Sequence, residues 1–406
     1  MASDILDQNG KLLLDALSAA MRGEGVFWQE ESVSWPKLQR LARSHNVLPL
    51  LAQAVWDGSV DGMPAGASTL KTAAARITVS QAQRTGDFLL LYRFLNGRGL
   101  QPAVMKGIVC RALYPCPEQR PSVDEDFLVD PAEFPAYHAA LLEYGLHPAE
   151  ADADPAAAYE VTYESRENGL CIELHKQPFP PDSEAYGDCG RLFDGALGRT
   201  VELPIGGERI RTLCPTDHLL YLICHAYKHF LHSGVGIRQV CDIAMFIERF
   251  GGQIDWEWVV SGCAEIRIER FAAAMFRITE RHLGFAMPAA FAAYDVDELP
   301  LLIDMLTGGL YGTEDADRLH SGSMTLDAVA AQKQGRGRRS LLASLFPSAS
   351  SLAGRYPYLR RCPWLLPVAW GQRFAGFLKK RDNSAAATIR IGGERIELLK
   401  QYGVID

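Results

Sequence analysis

The spacing of apolar positions changes character twice along the chain. Across residues 1–98 it is helical. In "WPKLQRLARSHNVLPLLAQAVW" (35–56), Leu38, Leu41, Val47, Leu48, Leu51 and Val55 recur at roughly helical intervals, with a break near Asn46 to Pro49. The stretch "LKTAAARITVSQAQRTGDFLLLYRFLNGRG" (70–99) predicts one long helix that Gly97 and Gly99 end. After it the segments shorten. "QPAVMKG" (101–107) predicts a strand entering a glycine turn, and "IVCRALYP" (108–115) a short helix that stops before Pro115. "SVDEDFLVD" (122–130) predicts a strand, and "PAEFPAYHAALLEYGLH" (131–147) a helix. "YEVTYESRENGLCIELHKQ" (159–177) predicts two strands joined at Glu167-Asn168-Gly169, a hairpin signal. From Thr216, a plausible N-cap, the helical period returns in "TDHLLYLICHAYKHFLH" (216–232) and "GIRQVCDIAMFIERFGG" (236–252), and helices continue to about residue 310.

These changes divide the chain into an N-terminal helical region (1–98), a small α/β core (99–212), a helical region (213–325) and a C-terminal tail (326–406). The tail opens with a basic, glycine-rich connector, "QKQGRGRRS" (332–340). The fold class this predicts is α+β: a small mixed sheet flanked by helical regions on both sides.

Composition narrows the function classes. A chain of 406 residues with 48% hydrophobic and 22% charged residues is ordinary globular protein. Its net charge of −8 argues against a broad nucleic-acid surface, which needs excess Lys and Arg. The nine cysteines are scattered and form no C-x-x-C pair, so neither a disulfide framework nor a zinc ribbon is expected. The first 23 residues lack the basic start and apolar run of a signal peptide. The most apolar late segment, 363–378, is too short for a membrane span and is broken by Pro367, Gln372 and Arg373. A cytoplasmic protein with reduced thiols is the expectation.

One strand carries chemistry. "SVDEDFLVD" places Asp124, Glu125 and Asp126 in a row between apolar residues. Side chains alternate along a strand, so Asp124 and Asp126 share a face and Glu125 takes the other. Two adjacent carboxylates repel unless a cation lies between them, and hard oxygen ligands suit Mg²⁺ or Mn²⁺. Glu173 in "CIELHKQ" stands opposite its apolar neighbours Ile172 and Leu174, where an adjacent strand could bring it beside the aspartates. Three carboxylates would hold two Mg²⁺ ions, which activate an attacking hydroxyl and stabilise a leaving pyrophosphate. Upstream, Lys106-Gly107 ends a strand and opens a helix, where an ammonium and a backbone N–H could hold phosphate oxygens.

The ordered set Lys106-Gly107, Arg120-x-x-x-Asp124-x-Asp126 and Glu173-Leu174-His175, continued by "HAYKHF" (225–230), "RQVCDIAMFI" (238–247) and "IDWEWVV" (254–260), resembles the uncharacterised nucleotidyltransferase family of the polymerase-beta-like superfamily. The resemblance is strongest over 101–260. It implies a nucleotidyltransferase core that transfers a nucleotide from an NTP, ATP first among them, to a hydroxyl of a small molecule or a peptide or protein. Asp124, Asp126 and Glu173 would be catalytic and metal-binding. Lys106, Gly107, Arg120, His175, Lys228 and His229 would be nucleotide-binding. The chain departs from the family pattern at Glu125, where an apolar residue is usual. A carboxylate on the core side needs either a basic partner or an open face.

Plainer alternatives stand beside each signal. The acids could form a solvated edge, and Glu173 a surface acid on a hairpin. His218, His225, His229 and His232 share one helical face and read as a polar stripe toward the nucleotide; the alternatives are a metal pair at His225 and His229 or simple helix packing. Asp242 either pairs with Arg238 four residues earlier or lines the cleft. The basic residues Lys333, Arg336, Arg338, Arg339, Arg355, Arg360 and Arg361 read as solvated surface. A kinase using the same metals and a non-catalytic nucleotide-binding adaptor remain the rival functions.

Overall fold

The computed structural model describes residues 6–28, 33–58, 67–150, 154–308, 316–334, 349–352, 356–379 and 384–406. The N-terminal helices are α1 (Gln8–Arg22), α2 (Trp35–Ser44), α3 (Leu48–Asp57) and the long α4 (Ser68–Asn96). The break between α2 and α3 falls at Asn46, whose φ of 55° is left-handed, and Pro49 then sits in the first turn of α3.

A seven-stranded mixed sheet follows, in the order β3-β4-β5-β2-β1-β7-β6. Its strands are β1 (Ala103–Met105), β2 (Glu125–Leu128), β3 (Leu146–Pro148), β4 (Glu160–Ser165), β5 (Cys171–His175), β6 (Thr200–Ile205) and β7 (Glu208–Leu213). At its centre β1 pairs antiparallel with β2 and parallel with β7, while β2 runs parallel to β5. Two further helices lie within this region, the short α5 (Gly107–Arg111) and α6 (Phe134–Tyr144). The expected hairpin at Glu167-Asn168-Gly169 joins β4 to β5.

Alternation decides what each face of the sheet carries. Val104, Phe127, Ile172 and Leu174 point to one side and pack with Phe88, Leu91 and Tyr92 of α4 and Tyr137 and Leu141 of α6. The opposite side carries Asp126, Glu173 and His175 and lies under the next helices, α7 (Pro215–His232) and α8 (Ile237–Phe250). The remaining helices include α9 (Trp256–Glu265), α10 (Glu269–Leu283), α11 (Leu299–Gly308) and α12 (Ala316–Lys333). Leu13 and Leu17 of α1 share one core with Ile243 of α8 and Phe271 of α10, so the N-terminal helix packs with helices that follow the sheet.

Three local expectations need correction. Thr216 does not cap α7: the helix starts at Pro215, which fits the first helical position because its missing N–H has no helical partner there. The Thr216 hydroxyl instead accepts from the Asp255 N–H. The helix expected over 131–147 stops at Tyr144, because Gly145 takes a left-handed C-cap and Leu146 turns into β3. The hairpin of β6 and β7 was not expected; its signal is Gly206-Gly207, both at positive φ. Residues 335–340 of the basic connector, with Arg336, Arg338 and Arg339, and Arg355 lie outside the described residues.

Candidate functional site

The site begins where β1 ends. Lys106 has φ 34° and ψ −130°, a conformation that costs a residue with a Cβ about 1–3 kcal/mol. Its N–H donates to His218 Nε2 of α7 at 3.1 Å. The Thr212 hydroxyl donates to the Val104 carbonyl at 2.6 Å and lies 3.0 Å from His218 Nδ1. With its hydrogen committed there, Thr212 accepts from Nδ1–H, which leaves Nε2 as acceptor for Lys106. Burial keeps this imidazole neutral, pushing it down to about 3.

The turn aims the Lys106 side chain at the acids. Its Nζ lies 3.0 Å from Asp126 Oδ1, 3.7 Å from Asp124 Oδ2 and 3.0 Å from His225 Nε2. Burial works against the ammonium, but Asp124 and Asp126 more than offset it and hold its proton well above the usual lysine range. His225 can only accept from that ammonium. Burial and the nearby Lys106 charge keep it neutral.

Register supplies the third acid. Asp126 stands directly across from Glu173 on the parallel neighbour β5. His175, two residues along the same face, puts Nε2 3.3 Å from Asp126 Oδ1 and 3.5 Å from Glu173 Oε2, and Nδ1 3.3 Å from Glu160 Oε2. Burial disfavours the imidazolium, yet these carboxylates push it up to about 9. Burial pushes Asp126 up to about 6, with Lys106 and His175 pulling the other way. Burial also acts to raise Glu173, but His175 and Lys106 prevail and hold it well below the usual carboxylate range.

The carboxylates of Asp126 and Glu173 fit a divalent cation, and His175 could join them only by giving up its proton. Ligand atoms of Asp126, Glu173 and His175 lie within 4.8 Å of one another. Asp126 Oδ2 is buried and has no hydrogen-bond partner. A buried carboxylate oxygen left unpaired is costly, and coordination would satisfy it. Asp124 is outside this tight group, at the more open edge, with 22% of its side chain exposed.

Glu125 has the basic partner its position demands. Facing away from the aspartates, its Oε1 accepts from Arg111 Nη2 at 2.6 Å and its Oε2 from the Ile108 N–H at 2.6 Å. Arg111 also donates to the Ser122 hydroxyl. Gly107 is needed for this approach, because a Cβ there would lie 2.0 Å from Glu125 Oε2.

The other expected residues are distributed as follows. The buried Arg120 guanidinium donates through Nε and Nη2 to both carboxylate oxygens of Asp242, which also accepts from the Tyr114 hydroxyl at 2.9 Å. Asp242 thus pairs with Arg120 and not with Arg238. The histidine stripe divides. His218 and His225 meet Lys106, His229 Nε2 lies 3.2 Å from His225 Nε2, and His232 Nε2 lies 2.8 Å from the Tyr186 hydroxyl. Lys228 is half-buried beside these rings, and its charge helps keep His225, His229 and His232 neutral. Thr212, Arg111 and the role of His218 carry no local signal in the sequence. Only the unexplained acid at 125 pointed to a hidden base.

Clustered carboxylates and a histidine on one face of the sheet, with a buried lysine in the turn at its edge, form a group that could hold a metal ion. Residues 31–284 match the family described as uncharacterised nucleotidyltransferase, and the chain belongs to it. That family places nucleotidyl transfer as the class of chemistry. No curated protein and no solved structure gives a match. Among the described residues, no helix is long and apolar enough to cross a membrane.

Proposed function

We propose that the protein is a Mg²⁺- or Mn²⁺-dependent nucleotidyltransferase that moves a nucleotide from an NTP, ATP first among them, onto a hydroxyl of a small molecule, peptide or protein. The observation that carries this is the orphaned Asp126 Oδ2 beside Glu173 and His175, with the Lys106 ammonium 3.0 Å from Asp126 Oδ1.

Asp126 and Glu173 would hold the cation, with Asp124 reaching it from the open edge. When bound, the cation supplies charge to neutralise the phosphates and lowers the pKa of an oxygen attached to it. Lys106 holds one phosphate by its ammonium, on a turn fixed by His218. Glu173, kept ionised by His175 and Lys106, would complete the metal-binding set and accept a hydrogen bond from the acceptor hydroxyl; held this far below the usual carboxylate range, it is too weak a base to take the proton alone. His175 orients both carboxylates. Arg120 supports the wall of the site through Asp242, and Lys228 with His229 adds positive and polar groups along α7.

The test is incubation with ATP labelled at the α- or the γ-phosphate and a pool of hydroxyl acceptors, followed by mass spectrometry. A nucleotide-sized gain on an acceptor supports the proposal. A phosphate-sized gain makes the protein a kinase using the same residues. Magnesium-ATP binding that Asp124→Ala/Asp126→Ala leaves unchanged removes the metal assignment, and binding with no transfer to any acceptor leaves an adaptor.

A further inference from the structure

We propose that Arg238, at the start of α8, is the seat of the terminal phosphates of the triphosphate, reached across Lys106 from the carboxylate cluster. The inference rests on the nucleotide-binding reading above. A small cavity of about 20 Å³ lies between the Lys106 turn and α8, and Lys106, Arg120, Asp124, His225, Arg238 and Asp242 line it. That volume admits roughly one water-sized atom. A phosphate therefore enters by one oxygen and keeps its bulk at the mouth, where Lys106 is 13% and Asp124 22% exposed.

Arg238 is the unsatisfied group in this cavity. Only 6% of it is exposed. One Nη1 proton goes to the Pro121 carbonyl, while Nε is buried with no partner. The carboxylate four residues on, Asp242, is occupied by Arg120 and Tyr114. Among the described residues no carboxylate approaches Arg238 as an ion-pair partner. Of the three cations in the lining, Lys106 is paired with Asp126 and Asp124 and Arg120 with Asp242, which leaves Arg238 without a carboxylate. A buried guanidinium without a counter-charge is costly, and phosphate oxygens match its fork of donors. Arg238 also lies in the first turn of a 14-residue helix, where the backbone adds to the positive field. Lys106 lines the cavity and also contacts Asp126 of the acid cluster, so a chain of phosphates passing Lys106 would end at Arg238.

The experiment is calorimetry on the full chain with ATP, AMP and inorganic pyrophosphate, with and without Mg²⁺, for wild type, Arg238→Gln and Arg238→Lys. Circular-dichroism melts accompany each variant to show that it is folded. The expected result is at least a tenfold loss of pyrophosphate and ATP affinity in Arg238→Gln, an intermediate loss in Arg238→Lys, and AMP affinity unchanged. ATP and pyrophosphate binding equally to wild type and Arg238→Gln overturns the seat while leaving the nucleotide reading intact. Equal losses for AMP and ATP also overturn it. Pyrophosphate binding through Arg238 in a protein that ignores ATP upholds the seat and overturns the nucleotide reading; no binding of either overturns both. Should Arg238→Gln fail to fold, Arg238→Lys decides, and unchanged pyrophosphate affinity there overturns the seat.

Discussion

Glu125 and Arg111 meet at 2.6 Å behind the strand that carries the aspartates, and both are buried. Removing one partner strands the other charge. Arg111→Met is therefore expected to lower stability by about 3–5 kcal/mol. The double variant Arg111→Met/Glu125→Leu should recover most of that loss, since no charge is then left unpaired. Urea unfolding of the four proteins of the cycle measures the coupling, and additive losses would show that the pair is not energetically linked.

Gly107 is expected to tolerate no side chain. Its φ is +46°, and a Cβ would sit 2.0 Å from Glu125 Oε2, a carboxylate oxygen fixed by Arg111 and the Ile108 N–H. Gly107→Ala should destabilise by more than the roughly 1–3 kcal/mol of backbone strain alone. A urea midpoint within error of wild type would contradict this packing.

Divalent-cation binding should depend on Asp126 first. Asp126→Asn and Glu173→Gln remove charged oxygens from the tight group and should lower Mn²⁺ affinity by well over tenfold. His175→Gln, which also loosens the orientation of both carboxylates, should cost about 10–100-fold. Electron paramagnetic resonance of free Mn²⁺ during titration reads each value. Unchanged affinity in Asp126→Asn would end the case for a metal at this face.

His218 ties stability to pH. Its folded-state pKa is pushed down to about 3, below the ordinary histidine value of 6.5. Between those values the unfolded chain binds a proton that the folded chain does not. Stability should therefore fall as pH drops below 6.5, by up to about 1.4 kcal/mol per pH unit for this one group. His218→Gln keeps an acceptor for the Lys106 N–H and removes the titration. Its stability between pH 7.5 and 5 should decline less steeply than that of wild type, and identical slopes would contradict the assignment.

Much of the site was legible because strand alternation is a local property. It put Asp124 and Asp126 on one face and turned Glu125 to the other, and the Lys106-Gly107 turn followed from the end of a strand. What could not be read was adjacency. Nothing local says that Glu173 stands opposite Asp126 in a parallel pair, or that His175 reaches both. The pairing of Asp242 with Arg120 across 122 residues, in place of its helical neighbour Arg238, is likewise a tertiary choice. The hairpin of β6 and β7 carried its turn glycines openly, but its apolar alternation was too weak to stand out.

The hydrogen bond from the Lys106 N–H to His218 spans 112 residues, and the contact of its ammonium with His225 spans 119. Asp126 and His175 are only 49 apart. During synthesis, then, the acids have their strand partners available long before the helix that fixes the lysine has emerged. The extra loop entropy is small, because it grows only with the logarithm of loop length. Completion of the site is thus tied to the helical layer: the lysine turn cannot be fixed before α7 has been made.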